Sequence, residues 1–479
     1  MKVQHLTEPE LEFACGGRHV DIRFGIMNHG PLDRDGRNDP RRIRLGVVGT
    51  PASVEGLLAW LSRCRNEISA KESRYPNLFP RFPGFRPDAA FSAEIECEAR
   101  MQRKLPVREI ARLGGQSDHN RMLEEAADLF VSEARYLVQE TGAEVIACAI
   151  PPELVRLIDR EDKATDNTTA DAEQGSWQFH DVLKARGMSA GSPFQMIRPS
   201  TYGGAKGKTP ASGKQGRRLQ DEATRAWNVH IALYYKAKGV PWRLQRPVSD
   251  LTACHVGISF YRTLDRESIH TSVAQVFNQR GQGVIVRGGP AQISKVDRTP
   301  HLSEQDAYQL LLNALKTYRR EHANYPARVV VHKSSWHDSG ERIGFRAAVE
   351  ELGIEYADML TIRESFTRLF RDNYYPPLRG TLLSLDDRTH VLYTRGSVEF
   401  FATYPGMYVP LPLEQICDDT EESPDNLARE ILALTKMNWN NTQFDGKWPI
   451  TLLAARQVGS ILRHLGPTDP CEPHYGFYM

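Results

Sequence analysis

Two short apolar stretches, each joined to segments with helical spacing, constrain this chain more than any other feature. Arg42–Thr50, RIRLGVVGT, ends at a glycine and runs into PASVEGLLAWLSRCRNEI, with Pro51 and Ser53 near the start of an expected helix. Downstream, NRMLEEAADLFVSEARYLVQETG precedes AEVIACAIP, which leads into the short helical pattern PELVRLI. A strand that is apolar on both faces must be covered on both, so this alternation predicts a parallel α/β sheet. Upstream, the Gly-broken stretch from Leu11 to Gly30 is expected to form one or two strands followed by a loop.

The pattern changes after Leu251. ACHVGISFYR and SVAQVFNQRGQGVIVRGG read as strands of hairpins, with NQRGQG supplying turn residues. The helix SEQDAYQLLLNALKTYRREH, the strand ARVVVHKSS and the helix SGERIGFRAAVEELG follow. Further strands, GTLLSLDDRTHVLYT and SVEFFATYPG, precede two C-terminal helices, so the second half is a separate α/β domain with a mixed sheet. Two polar stretches interrupt the first half. Asp159–Ser176 is poor in apolar residues, and Gly203–Arg218 carries five basic residues and no acid, as a solvated loop or a phosphate-contacting one would. The 479 residues suffice for two to four folded units, and no internal repeat is present.

Composition excludes several classes. The 61 Lys and Arg nearly cancel the 60 Asp and Glu, so any basic surface must be local. The seven cysteines are scattered without CxxC spacing, which fits a reduced compartment and argues against structural zinc. The N-terminus has no apolar core of a signal peptide, and no stretch approaches the roughly 20 apolar residues needed to cross a bilayer. A soluble, cytoplasmic protein without a membrane partner is expected.

Candidate chemistry centres on WQFHDVLKARGMSAGSPFQMIRPSTYG. His180 and Lys184 stand four residues apart and project from one helix face. Gln195 follows on an expected strand, and Lys236 ends the helix ATRAWNVHIALYYK. Brought together, the four offer donors to one anion, and a terminal phosphate suits them. Taken singly, each is an ordinary surface or edge residue. GVVGTPAS at Gly46–Ser53 lacks both GxGxxG and GK[ST], which leaves a small-molecule α/β enzyme as a weaker alternative.

In order and approximate spacing, His180, Lys184, Gln195 and Lys236 resemble the guide 5′-phosphate pocket of the MID domain of Argonaute proteins. LYYKAKGVPWRL resembles the lysine-bearing helix end and Pro-Trp turn of prokaryotic Argonautes. VVVHKSSWHDSGER, YPGMYVPLPL and LTKMNWNNTQFDGKWPITLLAARQVG resemble PIWI segments. The likeness runs from about residue 40 onward and is that of a short prokaryotic Argonaute built of MID and PIWI only. It implies N-terminal strands and a loop over 1–40 that pack on PIWI, a Rossmann-like MID domain over 41–250, and an RNase H-like PIWI domain over 251–479. It further implies a 5′-phosphorylated guide RNA paired with single-stranded target DNA, and a Mg2+ ion at the guide phosphate with the Met479 carboxylate as a ligand. The implied partner is an APAZ-containing effector, with a TIR or sirtuin-like NADase or a nuclease, forming a heterodimer and a higher oligomer on activation. Target recognition would then deplete NAD or degrade nucleic acid, an antiviral defence by abortive infection.

Departures from the family pattern bear on catalysis. A slicing PIWI domain holds two divalent ions with acidic or histidine ligands. Here Ser259 and Ser334 stand at the two expected aspartate positions, and Ala455 lies at or beside the last ligand. Glu304, near a glutamate-finger position, also reads as an ordinary acid in a helix first turn. The expectation is a chain that is not itself an enzyme, and an active guide-dependent nuclease is the alternative. Arg280, Arg287, Lys333 and Arg342 are candidates to line a nucleic-acid channel through phosphate contacts, with solvated surface as the equally open reading of each.

Overall fold

The structure is a computed structural model, and it describes all residues except 35–38, 160–176, 204–218, 246–251, 278–282, 371, 373–375, 407–408, 445, 467–468 and 470. The chain divides into two compact units. The first holds Ile26–Pro241 and His464–Pro470, and the second holds Met1–Gly25, Trp242–Arg463 and Cys471–Met479. The main division therefore falls after Pro241, where the sequence reading put it at 250, and residues 26–40 go with the first unit. Both polar interruptions, Asp159–Ser176 and Gly203–Arg218, lie almost wholly outside the described residues.

The chain opens with β1 (Lys2–His5), β2 (Leu11–Glu12) and β3 (Arg18–His19), followed by α1 (Ile22–His29). The expected loop before Gly30 is thus a helix. Asp21 caps it, its Oδ1 accepting from the backbone N–H of Arg23 at 2.8 Å and of Phe24 at 3.1 Å. Gly25, read as a break, is a packing position, since a Cβ there would lie 2.1 Å from the Phe13 ring.

The first unit continues with β4 (Arg41–Gly49), α2 (Pro51–Cys64), β5 (Ala93–Glu96), β6 (Gln102–Lys104), α3 (Val107–Leu113), α4 (His119–Thr141), β7 (Val145–Ala149) and α5 (Pro152–Ile158). Then come α6 (Phe179–Gly187), β8 (Phe194–Ile197), α7 (Pro199–Tyr202) and α8 (Glu222–Lys236). Its sheet is parallel in the order β5-β4-β7-β8, with β6 also on β4. The sequence explains the layering: every residue of β7 is buried, and α4 presents Leu123, Phe130 and Leu137 to a core shared with Ile146, Phe179 and Leu183. Asp118 caps α4, and Gly142 ends it at φ 62°.

The second unit contains β9 (Arg243–Leu244), β10 (Ala253–Arg262), β11 (Ile269–Phe277), β12 (Gly283–Val286), β13 (Pro290–Ile293), β14 (Pro300–His301) and α9 (Glu304–His322). It continues with β15 (Arg328–Lys333), α10 (Ser339–Glu351), β16 (Tyr356–Glu364), β17 (Thr381–Ser384), β18 (Thr389–Leu392), β19 (Leu413–Asp419), α11 (Pro424–Leu434) and α12 (Ile450–Leu462). Among the described residues the sheet runs β1-β17-β18-β19-β16-β15-β10-β11-β13-β14, with β12 on β11. β10, β15 and β16 are mutually parallel at its centre, and their neighbours are antiparallel. Alternation sorts the faces. Val256, Ile258, Val329, Val331 and Met359 pack with residues of α9 and α10, whereas Val330, Leu360 and Ile362 pack with Leu427, Ile431 and Leu452 of α11 and α12. The expected strand SVEFFATYPG is instead a 3-10 turn, Glu399–Phe401, followed by Ala402 at φ 51°. Its aromatic residues pack on side chains, with Phe400 edge-on to Phe24 at 5.2 Å and Phe401 edge-on to Phe444 at 5.1 Å. Among the described residues no helix is long and apolar enough to cross a membrane.

Candidate nucleic-acid interface

The four candidate phosphate ligands form one cluster in the first unit. Lys236, the last residue of α8, is 2 % exposed, and its Nζ donates to Gln195 Oε1 at 2.6 Å and to the Phe194 carbonyl at 3.0 Å on β8. Lys184 is 4 % exposed on α6, one turn after His180, whose Nδ1 lies 2.9 Å from Asp181 Oδ1. Burial pushes the Lys184 pKa down to about 7, against the pull of Asp181. Lys236 falls well below the usual lysine range through burial and then through the Lys184 charge. His180 is also lowered, by desolvation first and by Lys184 next. Two ammonium groups thus sit in an apolar setting near one another, with Asp181 as the carboxylate that acts on Lys184. Such an arrangement is costly for the protein alone and is relieved by an anion. Asp181 was missed in the sequence; an acid in the first turn of α6 was the signal.

The Gly46–Ser53 stretch carries packing. A Cβ at Gly49 would lie 2.6 Å from the Ala149 carbonyl, and the buried Thr50 and Ser53 hydroxyls bond each other at 2.9 Å.

In the second unit, β10 and β15 align Gly257 with His332 and Ile258 with Lys333, and Ser334 N donates to the Ile258 carbonyl at 3.4 Å. Ser259 and Ser334 therefore follow as neighbours on the face that α12 covers. That helix approaches closely because residue 257 is glycine: a Cβ there would lie 2.3 Å from the Thr451 carbonyl. Thr451 Oγ1 also bonds His332 Nδ1 at 2.9 Å, and Ala455, fully buried, is one turn further along α12. None of these three positions carries a carboxylate. Glu304 is exposed in the first turn of α9, where Ser303 caps the helix.

Of the four channel candidates, the structure describes three. Lys333 points to the opposite face of the sheet, is fully buried, and donates to Glu341 Oε1 at 2.7 Å and to the Trp336 carbonyl at 2.6 Å. Its charge is spent inside the unit, so it does not face a nucleic acid there. His301, Asp338 and Glu341 place ligand atoms within 4.8 Å of one another, but the Lys333 ammonium already supplies the cation beside Glu341. Arg287 bonds the Tyr261 hydroxyl, and Arg342 is half-buried in the first turn of α10. Arg280 lies outside the described residues. Met479 is buried behind a 3-10 turn, Tyr475–Phe477, where the Tyr478 hydroxyl donates to the Glu472 carbonyl at 2.8 Å.

No protein-family model and no curated protein sequence matches the chain. Its fold, however, is similar to solved structures. Clostridium butyricum Argonaute, bound to a guide DNA and a 19-mer target DNA, superimposes with a TM-score of 0.62 at 14 % identity, over 97 % of this chain and 53 % of that one. A. aeolicus Argonaute gives a TM-score of 0.59 at 14 % identity, over 98 % and 54 %. Drosophila Piwi gives 0.59 at 14 % identity, over 99 % and 56 %. The chain spans about half the length of these proteins. Its mixed α/β architecture, a parallel-sheet unit and a unit with a large mixed sheet, is structurally similar to the MID and PIWI domains of Argonaute proteins.

Proposed function

We propose that this chain is the guide-binding subunit of a prokaryotic immune system. It holds a 5′-phosphorylated guide, an RNA, and pairs it with complementary single-stranded DNA. The observation that carries this reading is the buried cluster of Lys184, Lys236, Gln195 and His180, in which two lysines are disfavoured as cations until an anion joins them. The fold likeness supports it, since one structural neighbour is bound to a guide and a target. Sequence specificity then resides in base pairing, and the protein holds the phosphate end and the duplex backbone.

The reading includes no cleavage of the target, supported by the serines at 259 and 334 and by Ala455. Arg287 and Arg342 remain candidates for backbone contacts. The pocket's oxygens are largely engaged, Gln195 Oε1 by Lys236 and Asp181 Oδ1 by His180, so its residues fit a Mg2+ ion only as a companion of the phosphate. The remaining oxygens would come from the phosphate itself. The enzymatic output belongs to a partner carrying an APAZ segment and a TIR, sirtuin-like or nuclease effector, which target binding activates to deplete NAD or degrade nucleic acid in an abortive response.

The test is to purify the chain with the product of its neighbouring gene, extract the bound nucleic acid, and compare guide affinity with and without a 5′ phosphate. Copurified short 5′-phosphorylated RNA, with a phosphate preference that collapses in Lys184→Ala and Lys236→Ala, is expected. Absence of bound nucleic acid and of any phosphate preference would overturn the proposal and bring forward a small-molecule enzyme.

A further inference from the structure

The second unit holds two aromatic rings in open water on a loop that is itself firmly tied. Phe366 is 90 % exposed and Phe370 80 % exposed, just after the end of β16. The backbone between them is anchored. Ser365 N donates to the Pro412 carbonyl at 3.0 Å, Thr367 N to Ser365 Oγ at 3.2 Å, and Leu369 N to the hydroxyl of the buried Tyr393 at 2.9 Å. Arg368 Nη1 donates to the carbonyls of Ser365 and Thr367 at 3.1 Å each. Hence the rings are presented by a shaped loop, and each forgoes the burial that an apolar side chain would otherwise gain.

Cations and further rings lie around the end of β16. The Arg363 guanidinium lies 4.6 Å from the Trp336 ring centroid, and Arg456 lies 3.7 Å from that of Trp448. On the other face of β16, by strand alternation, Glu364 forms a 2.6 Å ion pair with Lys447. Arg363 also pairs with Glu414 at 2.6 Å. The loop lies at the C-terminal ends of the parallel strands β15 and β16, the edge at which Ser334 follows Lys333.

We propose that Phe366 and Phe370 are stacking platforms for unpaired bases of a single-stranded nucleic acid whose phosphates run along the neighbouring arginines. Rings interleaved with guanidinium groups suit a strand that offers base faces and phosphates in alternation. A duplex hides those faces. An apolar protein surface is less well matched, because Thr367 and the charged Arg368 separate the rings. The inference rests on the guide-binding reading only in naming the strand, an unpaired stretch of target or guide.

The test uses the full chain and a fluorescent oligothymidine with a 5′ hydroxyl, which bypasses the phosphate pocket. The double variant Phe366→Ala, Phe370→Ala is expected to bind it about tenfold or more weakly at fixed salt. Phe366→Trp, Phe370→Trp is expected to bind at least as well as the unmodified chain. An abasic oligomer of the same length should not distinguish the unmodified chain from the double alanine variant. An unchanged unfolding midpoint, as expected for exposed positions, separates the effect from misfolding. Equal binding of oligothymidine by the unmodified chain and the double alanine variant overturns the proposal. So does loss of a copurifying protein with oligothymidine binding intact, which would make this surface a protein interface. Failure of the guide reading is visible separately, as the absence of a 5′-phosphate preference in the unmodified chain.

Discussion

Lys236 Nζ and Gln195 Oε1 are 2.6 Å apart, and through this contact the end of α8 is fastened to the start of β8. Both hydrogen-bond acceptors of the ammonium, the Gln195 amide and the Phe194 carbonyl, are neutral. A buried cation with neutral partners is an expense to folding and a resource for binding. Lys236→Met is therefore expected to unfold at no lower urea concentration than the unmodified chain at neutral pH. It should also lose about tenfold or more of its preference for a 5′-phosphorylated guide, the scale of one charge-assisted hydrogen bond. Denaturation and binding titrations on the same preparation check this. A large loss of stability with the phosphate preference retained would make Lys236 a structural residue.

Guide binding should also depend on pH through Lys184. In the free protein its pKa is lowered to about 7, and an adjoining phosphate raises it, so at higher pH binding takes up a proton. Affinity is then nearly level below about pH 7 as far as this lysine is concerned. It falls by up to about tenfold per pH unit above that, until the bound-state pKa is passed. Binding isotherms from about pH 6.5 to about pH 9 test the slope, with a 5′-hydroxyl guide as the flat control. Lys184→Arg, which keeps its charge throughout, should flatten the curve for the phosphorylated guide. A pH-independent affinity in the unmodified chain would contradict the assignment.

Lys333 belongs to stability. It is fully buried with Glu341, and Lys333→Ala would leave that carboxylate buried beside His301 without its cation. Breaking a buried pair from one side costs about 3–5 kcal/mol, so a marked drop in the urea midpoint is expected, with guide affinity of the folded fraction unchanged. Lys333→Met with Glu341→Gln should recover part of the loss. A variant of normal stability that binds nucleic acid poorly would return Lys333 to the channel.

The parallel sheet of the first unit was legible because β7 and the second half of β4 are apolar and buried and lie between helices of clear period, and such segments have few other stable arrangements. The candidate cluster was legible in part. His180 and Lys184 share a helix face by spacing alone, whereas their meeting with Gln195 and Lys236 depends on which strands are neighbours, which a single sequence does not encode locally. Lys333 shows the opposite case. Read along the strand it is a basic residue beside a candidate site, but the register of β15 turns it to the far side of the sheet, where Glu341 neutralises it. The Gly-broken stretch before Gly30 hid the helix Ile22–His29 because what marks it is a capping geometry at Asp21 and the packing of Gly25 against the ring of Phe13.

Ser259 and Ser334 give the sharpest test of the chemistry. They are neighbours in register on the face covered by α12, where Ala455 contributes a methyl group, so a guide-loaded chain supplied with Mn2+ should leave a matched target uncut. Ser259→Asp with Ser334→Asp would put two carboxylates side by side in a largely buried setting, which disfavours both charges and should destabilise the variant. A divalent ion would offset that penalty, so added Mn2+ should raise the unfolding temperature of the double variant and leave the unmodified chain unchanged. At about 100 times the dissociation constant the linkage amounts to about 2.7 kcal/mol, which a thermal melt resolves. The variant should still not cut, because Ala455 supplies no further ligand. A defined product from the unmodified chain would overturn the reading of the site as non-cleaving, and a metal-insensitive double variant would show that the two serines do not share one ion-sized site.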